Sequence, residues 1–324
     1  MKRQMVITMK PFSLVEMNMN KQSCLVIGYG SIGQRHTRIL NELGHRVAVV
    51  SRRKVDYPHI YKDIEEALLL EQPCYIVIAN ETSAHESTLK ELKKFGYDKK
   101  ILVEKPLFIS HINSDLDFKD LYVGYNLRFH PLVQTLFKQL RKSEITSVQC
   151  YVGQYLPSWR PGTDYTKSYS ASSSKGGGVL RDLSHELDYL QFLFGNWEHM
   201  TALGGKFSQL EIDSDDHYSF IYQTKQVPLV TLQINYLDHI MQRMLIINTD
   251  KVTYKADFIN NTLQKNDEFL QFDLGRDSTY GDQHVAILNG EKEFLCSYEE
   301  GLKIVNMIEM AEQASKKKVW VSNE

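Results

Sequence analysis

Three features are scarce in this sequence: long hydrophobic runs, cysteine, and an excess of charge of either sign. No apolar stretch approaches the roughly 20 residues that a membrane-spanning helix needs, so we expect no membrane segment. The 38 lysines and arginines nearly balance the 40 aspartates and glutamates, which leaves no broad basic surface for nucleic acid. The four cysteines lie far apart without Cys-x-x-Cys spacing, which indicates buried free thiols rather than disulfides or a zinc site.

The N-terminal 20 residues lack the pattern of a signal peptide. Lys2 and Arg3 are present, but Pro11 and Glu16 interrupt any apolar segment of that kind. We therefore interpret residues 1–20 as an extension outside the fold, and we expect a cytoplasmic protein.

From Lys21 onward, short apolar runs alternate with amphipathic ones. The runs "SCLVIGYG", "HRVAVVS", "CYIVIAN", "KILVEK" and "LYVGYN" are typical of strands, and "QRHTRILNELG", "DIEEALLL" and "SAHESTLKELKKFG" are typical of helices. Strands that are apolar throughout and alternate with helices predict a parallel sheet that is covered on both faces. Residues 21–126 are therefore predicted to form a doubly wound, Rossmann-type α/β domain.

The pattern changes after residue 126. A helix is predicted over 131–142, and long strand-like runs such as "SVQCYVGQYL", "HYSFIYQ" and "LVTLQINYL" follow it with few helices between them. The stretch 176–195, "GGGVLRDLSHELDYLQFLFG", is predicted to be a helix inserted among those strands. Residues 127–324 are thus predicted to form an α+β domain with a large, mainly antiparallel open sheet.

The stretch "GYGSIG" places Gly28, Gly30 and Gly33 in the G-x-G-x-x-G spacing. It directly follows an apolar strand and opens a helix at Ser31 and Ile32, which is the context that a dinucleotide site requires. The first glycine permits a tight turn, the second lets a pyrophosphate approach the backbone, and the third lets helix and strand pack closely. The alternative is a strand–turn–helix that binds no ligand.

The end of the second predicted strand indicates which dinucleotide is bound. It carries Ser51, Arg52 and Arg53, and no carboxylate follows until Asp56. An acidic residue there would bind the adenosine ribose 2′-hydroxyl of NAD, whereas a hydroxyl and two guanidinium groups suit the 2′-phosphate of NADP. The sequence therefore favours NADP, with NAD possible, and a solvated basic turn is the alternative.

Several motifs together carry a family resemblance. The glycine turn, the strand ending "IANETSAH", the strand ending "VEKP" and the later "GGG…D..H" segment resemble the Gfo/Idh/MocA family, named for glucose–fructose oxidoreductase, inositol dehydrogenase and a rhizopine catabolism protein. The resemblance covers about residues 22–322. It implies a hydride-transferring oxidoreductase that commonly forms a homodimer or homotetramer.

The resemblance also implies roles for the residues around "VEKP". Glu104 would bind hydroxyls of the nicotinamide ribose, and Lys105 would hydrogen-bond both the cofactor and a substrate oxygen. The peptide bond between Lys105 and Pro106 would be cis. Asn80 would line the nicotinamide side, and His85 would support the cofactor. A surface salt bridge is the alternative for the charged pair, and a helix-capping or solvated side chain is the alternative for the histidine.

In the second domain, the resemblance points to Asp182 and His185. In the family the histidine usually follows four residues after the aspartate, with a glycine between them, whereas here it follows after three and Ser184 takes the glycine-like position. We expect both side chains on one helix face, with His185 catalytic and Asp182 catalytic or substrate-binding. The shortened spacing leaves the role of the histidine open, and Asp188 is a further candidate to orient it. The alternative is that these residues form the solvated side of the helix.

Other polar and aromatic residues indicate a hydroxyl-rich ligand. Asn126 and Arg128 follow the first domain, and Trp159 and Arg160 lie in "YLPSWRPG". Aromatic faces with amide and guanidinium donors suit a sugar, although each residue could equally serve packing or the surface. "WRPG" and "DLSHELD" also resemble a subgroup of the family associated with bacterial surface-polysaccharide and unusual-sugar pathways.

The predicted function is hydride transfer between a nicotinamide cofactor and a secondary hydroxyl or ketone of a sugar or sugar derivative, with Lys105 or His185 as acid/base. One alternative is a hydrolase or lyase of the same fold that uses a retained nucleotide in an internal redox cycle, and another is a cofactor-sensing regulator. The acid/base pair argues against the regulator. The acidic stretch 211–217, "EIDSDDH", is interpreted as a solvated turn, so we expect no metal.

Overall fold

A computed structural model describes residues 5–7, 21–111 and 116–323 of the chain. Seventeen strands occur in these ranges: β1 Met5–Ile7, β2 Ser23–Ile27, β3 Arg46–Val50, β4 Ile60–Tyr61, β5 Tyr75–Ile78, β6 Lys100–Val103, β7 Leu121–Val123, β8 Ile145–Gly153, β9 Trp197–Gly205, β10 His217–Thr224, β11 Val230–Asn235, β12 Gln242–Thr249, β13 Thr253–Asp257, β14 Thr262–Lys265, β15 Glu268–Phe272, β16 Cys296–Ser297 and β17 Val321–Ser322.

The α-helices of the described ranges are α1 Ser31–Glu42, α2 Ile64–Glu71, α3 His85–Lys94, α4 Pro131–Leu140, α5 Val179–Asp182, α6 His185–Phe194, α7 Ser278–Asn289 and α8 Tyr298–Lys317. None of them is both long enough and apolar enough to cross a membrane. The chain divides into two compact units. One unit, here called the Rossmann unit, contains the described residues 21–111, 116–129 and 275–305. The other, here called the large-sheet unit, contains 5–7, 130–274 and 306–323.

The Rossmann unit contains a seven-stranded sheet in the order β16-β7-β6-β5-β2-β3-β4. All neighbouring strands are parallel except the pair of β16 and β7. The apolar runs of β2, β5 and β6 are buried, because helices cover both faces of such a sheet. The strand order reverses at β2, which lies between β3 and β5, and this is where doubly wound folds bind ligands. The predicted doubly wound parallel sheet is confirmed.

The large-sheet unit contains a ten-stranded sheet in the order β1-β15-β14-β13-β12-β8-β11-β10-β9-β17. Its neighbouring strands are antiparallel except β1 with β15 and β8 with β11. Alternate residues are buried along β10, where Tyr218, Phe220 and Tyr222 face the core while Ser219 and Ile221 lie on the opposite face. The predicted large, mainly antiparallel sheet is confirmed.

The structure departs from the predicted boundaries in two places. Residues 5–7 form the edge strand β1, so part of the predicted N-terminal extension belongs to a sheet, while residues 1–4 and 8–20 lie outside the described residues. Residues 275–305 belong to the Rossmann unit, although the sequence pattern assigned everything after 126 to the second domain. The physical reason is that α7 packs against α1 and β16 extends the parallel sheet.

The four cysteines are free thiols, as the sequence predicts. Cys24, Cys150 and Cys296 are buried, and Cys74 is half-buried. Burial raises the pKa of the Cys24 thiol, and the nearby Cys74 raises it further. These residues therefore behave as small apolar core side chains rather than as nucleophiles.

Candidate functional site

The glycine turn after β2 has the geometry of a nucleotide cradle. Gly28 has a φ of +99°, and a Cβ there would lie 2.5 Å from the backbone nitrogen of Asn80. A Cβ on Gly33 would collide with the carbonyl oxygen of Gly28, so this position requires the close packing of helix on strand. Above Gly30, by contrast, no heavy atom of the described chain lies within 4 Å of the Cβ position. The open side of the turn is therefore the side on which a pyrophosphate can approach.

Helix α1 begins at this turn. Gly30 is the N-cap, no side chain among the described residues caps the helix, and its first turn contains no acidic residue. Ser31 is exposed, whereas Ile32 packs against the buried cluster beneath the sheet. The first N–H groups of the helix are available for an anion, and the helix dipole favours negative charge there.

The end of β3 forms a basic turn. The Ser51 side chain is buried and its Oγ accepts a hydrogen bond from the Arg53 backbone at 3.2 Å, while the Arg52 and Arg53 side chains are exposed. The Lys62 ammonium donates to the carbonyl oxygens of Ser51 at 3.0 Å and Arg53 at 2.7 Å. Lys62 thus fixes the turn and adds a third positive charge, a role that the sequence did not indicate because the lysine lies about ten residues further on.

Glu104 lies at the C-terminal end of β6 and is buried. Its Oε1 is 2.8 Å from His36 Nε2, and its Oε2 accepts a hydrogen bond from the Lys105 backbone at 3.1 Å. Burial acts to raise the pKa of this carboxyl, but the hydrogen bond from His36, the charge of Lys105 and the Lys105 backbone N–H together bring the pKa below its ordinary value. Both carboxylate oxygens therefore already have partners within the protein, and the expected contact to ribose hydroxyls stays a prediction.

The peptide bond between Lys105 and Pro106 is cis, which confirms the expectation from the family resemblance. Beside it, His85 is buried, with Nδ1 3.0 Å from the carbonyl oxygen of Leu107 and Nε2 3.4 Å from that of Asn80. Burial lowers the pKa of His85, so it is neutral and can donate to only one of these carbonyls. The closer contact is to Leu107, which makes His85 a support for the segment after Lys105.

Asn80 follows β5 at the same sheet edge. Its Nδ2 donates to Thr88 Oγ1 at 2.9 Å, and its Oδ1 is buried with no hydrogen-bond partner among the described residues. A buried amide oxygen without a partner is costly, so this acceptor suits a polar group of a bound cofactor. Gly28, Asn80 and Glu104 are thus brought together at the C-terminal edge of neighbouring strands.

Arg128 does not have the exposure that substrate binding would need. It is fully buried, and its Nη1 donates to the Leu295 carbonyl and to both carboxylate oxygens of Glu300, each at 3.1 Å. The expectation that it contacts substrate is corrected, because its charge is compensated inside the Rossmann unit. Asn126 is also buried and donates to Thr279 Oγ1 at 2.6 Å, while its Oδ1 has no partner among the described residues.

Asp182 and His185 do not lie on one continuous helix, contrary to the sequence prediction. Helix α5 ends at Asp182 and helix α6 begins at His185, with Leu183 and Ser184 forming the break. Asp215 holds the start of α5 by accepting a hydrogen bond from the Leu180 backbone at 3.0 Å. Asp182 is buried and His185 is half-buried, so the two are not a solvated helix face.

Tyr236 contacts both Asp182 and Trp159, two residues that the sequence analysis proposes for substrate binding. This buried tyrosine directly follows β11, and its hydroxyl donates to Asp182 Oδ2 at 2.5 Å. The Trp159 ring packs edge-on against the Tyr236 ring, with centroids 5.2 Å apart and planes at 90°. Arg160 is exposed and its carbonyl oxygen closes a turn with Thr163. Sequence reasoning missed Tyr236 because "LVTLQINYL" reads as an ordinary strand.

No cluster of three or more histidine, cysteine, aspartate or glutamate side chains in the described ranges could hold a metal ion. In the acidic stretch 211–217, Asp216 is instead buried and accepts hydrogen bonds from the backbones of Phe207 at 2.8 Å and Ser208 at 2.9 Å. These contacts hold the loop before β10.

Comparison with known proteins finds a family model for part of the large-sheet unit and a shared fold for most of the chain. Residues 133–254 match the family model of the GFO/IDH/MocA C-terminal domain. No curated protein sequence matches this chain. Among solved structures, levoglucosan dehydrogenase in complex with NADH and levoglucosan has a TM-score of 0.80 at 14% identity, covering 94% of this chain and 99% of that one.

Two further solved structures are similar. The WlbA dehydrogenase from Bordetella pertussis, in complex with NADH and UDP-GlcNAcA, has a TM-score of 0.76 at 18% identity, covering 94% of this chain and 99% of that one. GenD2 from gentamicin A biosynthesis, in complex with NAD, has a TM-score of 0.75 at 18% identity, covering 94% of this chain and 97% of that one. At such identities the likeness shows a shared fold. The family resemblance seen in the sequence is supported by the match at residues 133–254, and the solved structures share the fold over 94% of the chain.

Proposed function

We propose that the protein is a nicotinamide-dependent oxidoreductase that acts on a secondary hydroxyl or ketone of a sugar or sugar derivative. The observation that carries this proposal is the glycine turn, where Gly28 and Gly33 cannot carry a side chain while the space above Gly30 is open. The three similar structures named above contain NAD or NADH, and two of them contain a sugar or nucleotide sugar.

The residues of the Rossmann unit fit such a cofactor. The turn at Gly30 and the start of α1 would hold the pyrophosphate, the turn at Ser51 would hold the adenosine ribose, and the free Oδ1 of Asn80 would accept a hydrogen bond on the nicotinamide side. When bound, the nicotinamide supplies the acceptor or donor of the hydride.

The protein's own part of the chemistry is to hold the substrate and move a proton at its oxygen. We assign the acid/base role to Lys105, with His185 as the alternative. The carboxylate of Asp182 is held by the Tyr236 hydroxyl and is suited to accept a hydrogen bond from a substrate hydroxyl. Trp159, half-buried beside Tyr236, offers an aromatic face of the kind that packs against sugar rings.

NADP is our preferred form of the cofactor. Arg52, Arg53 and Lys62 place three positive charges around the Ser51 turn, and no acidic residue stands in the position that would bind the 2′-hydroxyl of NAD. The similar structures contain NAD or NADH, so this preference depends on the chain's own residues.

We also propose a homodimer or homotetramer formed through the large sheet. The face of β9 and β10 that points away from the core exposes Leu203 and Ile221, at 61% and 45% of their surface. Exposed aliphatic side chains on one face of a wide sheet suit association with a second copy. Light scattering coupled to size-exclusion chromatography measures the mass, and a monomer at every concentration contradicts this assignment.

The first experiment is native mass spectrometry of the freshly purified protein, repeated after dialysis against excess NAD and NADP. Free exchange with a preference for NADP supports an ordinary dehydrogenase or reductase, and turnover is then screened on sugars by absorbance of the reduced nicotinamide. A nucleotide that resists exchange supports instead the hydrolase or lyase with an internal redox cycle. Failure to bind any nicotinamide nucleotide contradicts the proposed function.

A further inference from the structure

A continuous chain of four buried side chains runs through the Rossmann unit. Tyr75 OH lies 2.8 Å from His284 Nδ1, His284 Nε2 lies 2.8 Å from His36 Nδ1, and His36 Nε2 lies 2.8 Å from Glu104 Oε1. Tyr75 and both histidines are fully buried, and Glu104 is 7% exposed. The chain links β5, α7, α1 and the end of β6.

The hydrogen bonds of this chain have a defined direction. An ionised Glu104 can only accept, so His36 donates its Nε2–H. The buried Tyr75 hydroxyl needs an acceptor, and its hydrogen-bond partner is His284 Nδ1, so His284 carries its proton on Nε2 and donates it to His36 Nδ1. Burial and the neighbouring His36 and His45 keep the pKa of His284 well below the ordinary histidine value, which agrees with a neutral ring. Every donor therefore points toward Glu104.

This arrangement keeps one negative charge buried beside Lys105. Three ordered donors polarise one another and support the carboxylate at the end of the chain. Tyr75 has no exposed surface, and burial raises the pKa of its hydroxyl well above the ordinary value. The chain thus ends on a group that does not release its proton, so it orients and ionises Glu104 rather than conducting protons.

Glu104 lies on the half of the sheet edge that a doubly wound fold uses for the nicotinamide part of a dinucleotide. The glycine turn follows β2, and the strand order from there to Glu104 is β2, β5, β6. The oxidised nicotinamide ring carries a positive charge that the reduced ring lacks. A fixed carboxylate on this side therefore stabilises the oxidised form selectively.

We infer that Glu104, held by His36, His284 and Tyr75, sets the preference of the site for oxidised over reduced cofactor. This rests on the proposed oxidoreductase function. Glu104 supplies the charge, and His36 and His284 are positioning residues that act through it. The relevant quantity is the ratio of the Kd for NADH to the Kd for NAD⁺, and the same ratio applies to NADPH and NADP⁺.

The experiment measures both dissociation constants by isothermal titration calorimetry on the full-length protein. Glu104→Gln removes the charge with little change in shape, and we expect the ratio to fall by about tenfold. His36→Leu removes the donor to the carboxylate and is expected to lower the ratio in the same direction, whereas His36→Gln can still donate from its amide and should keep it. The matched control is Thr37→Val, which deletes the neighbouring buried hydrogen bond to Gly33 without touching Glu104.

The outcomes separate this inference from the proposed function. If the unmodified protein binds no nicotinamide nucleotide, the oxidoreductase proposal itself fails. If it binds both forms and Glu104→Gln leaves the ratio unchanged, the charge argument is wrong while the oxidoreductase stands. If Glu104→Gln lowers the ratio but His36→Leu does not, the positioning role of His36 is overturned. A change of equal size in Thr37→Val would show a general packing effect and would also overturn the inference.

Discussion

We expect protonation of His130 to destabilise the large-sheet unit at acid pH. This buried histidine is the N-cap of α4: its Nδ1 accepts a hydrogen bond from the Leu132 backbone at 3.1 Å, and its Nε2 lies 3.1 Å from Asn261 Oδ1. Because Nδ1 is an acceptor, the ring is neutral and donates from Nε2. Protonation would place a hydrogen against the helix N–H and remove the cap. Burial, with a contribution from the Arg243 charge, lowers the pKa of His130 to about 4.

The sign and size of the effect follow from the two pKa values. The folded pKa of about 4 lies below the 6.5 of an exposed histidine, so the unfolded chain binds the proton more readily. Neutral His130 therefore contributes its full stabilisation at pH values above the unfolded pKa of 6.5. This stabilisation is lost as the pH falls toward the folded pKa of about 4. Between pH 7 and pH 5, this single group is expected to lower the free energy of unfolding by about 2 kcal/mol.

The assay compares urea unfolding of the unmodified protein and His130→Asn at pH 7 and pH 5. Asparagine keeps an N-cap acceptor but cannot titrate, so it isolates the histidine from all other groups. The drop in unfolding free energy between the two pH values should be about 2 kcal/mol smaller in the variant. Equal drops in both proteins would refute the reasoning, as would a His130 ring that titrates near the ordinary histidine pKa in an NMR measurement.

Four further predictions concern the candidate site. Lys105→Met should lower turnover by at least about 100-fold while nucleotide affinity, measured by NADH fluorescence, stays within about tenfold; unchanged turnover removes the lysine from the mechanism. Arg52→Ala with Arg53→Ala should weaken NADP binding and spare NAD in calorimetry, and no change for either contradicts the NADP preference. Gly30→Ala should leave the melting temperature unchanged, since the Cβ meets nothing, yet weaken nucleotide binding; undiminished binding contradicts the cradle. Tyr236→Phe should lower kcat/KM by about tenfold without affecting nucleotide affinity, and its effect should largely vanish in an Asp182→Asn background.

The features that the sequence predicted well depend on neighbouring residues. The glycine turn needs only six residues between a strand and a helix, and its steric demands are local. The two sheets are likewise predictable from the strands themselves. A strand that is buried on both faces is apolar throughout, whereas a strand that is buried on one face alternates buried and more exposed residues.

The features that were missed depend on contacts between distant parts of the chain. His36 and Glu104 are 68 residues apart, and Arg128 and Glu300 are 172 apart, so no local pattern reveals either pair. The break at Leu183 and Ser184 was hidden for another reason. The leucines on both sides keep a helical spacing across the break, and the contact that holds the start of α5 comes from Asp215, which lies outside the segment.

The composition of the Rossmann unit has a consequence for how the protein is made. Its last described residues, 275–305, leave the ribosome only after strands β8 to β15 of the large-sheet unit have been synthesised. Until then His36 and Tyr75 lack their hydrogen-bond partner His284, and Asn126 lacks its partner Thr279. These polar side chains, which are buried in the folded unit, therefore have no hydrogen bond to these residues in a shorter chain. A nascent or truncated chain that ends near residue 126 therefore contains the nucleotide turn but lacks the part of the core cluster that Phe129, Ala286, Ile287, Leu288 and Leu295 supply. Expression of residues 21–126 alone is expected to yield an unstable fragment, and we expect co-translational folding of this segment to be deferred until residues 275–305 have been synthesised.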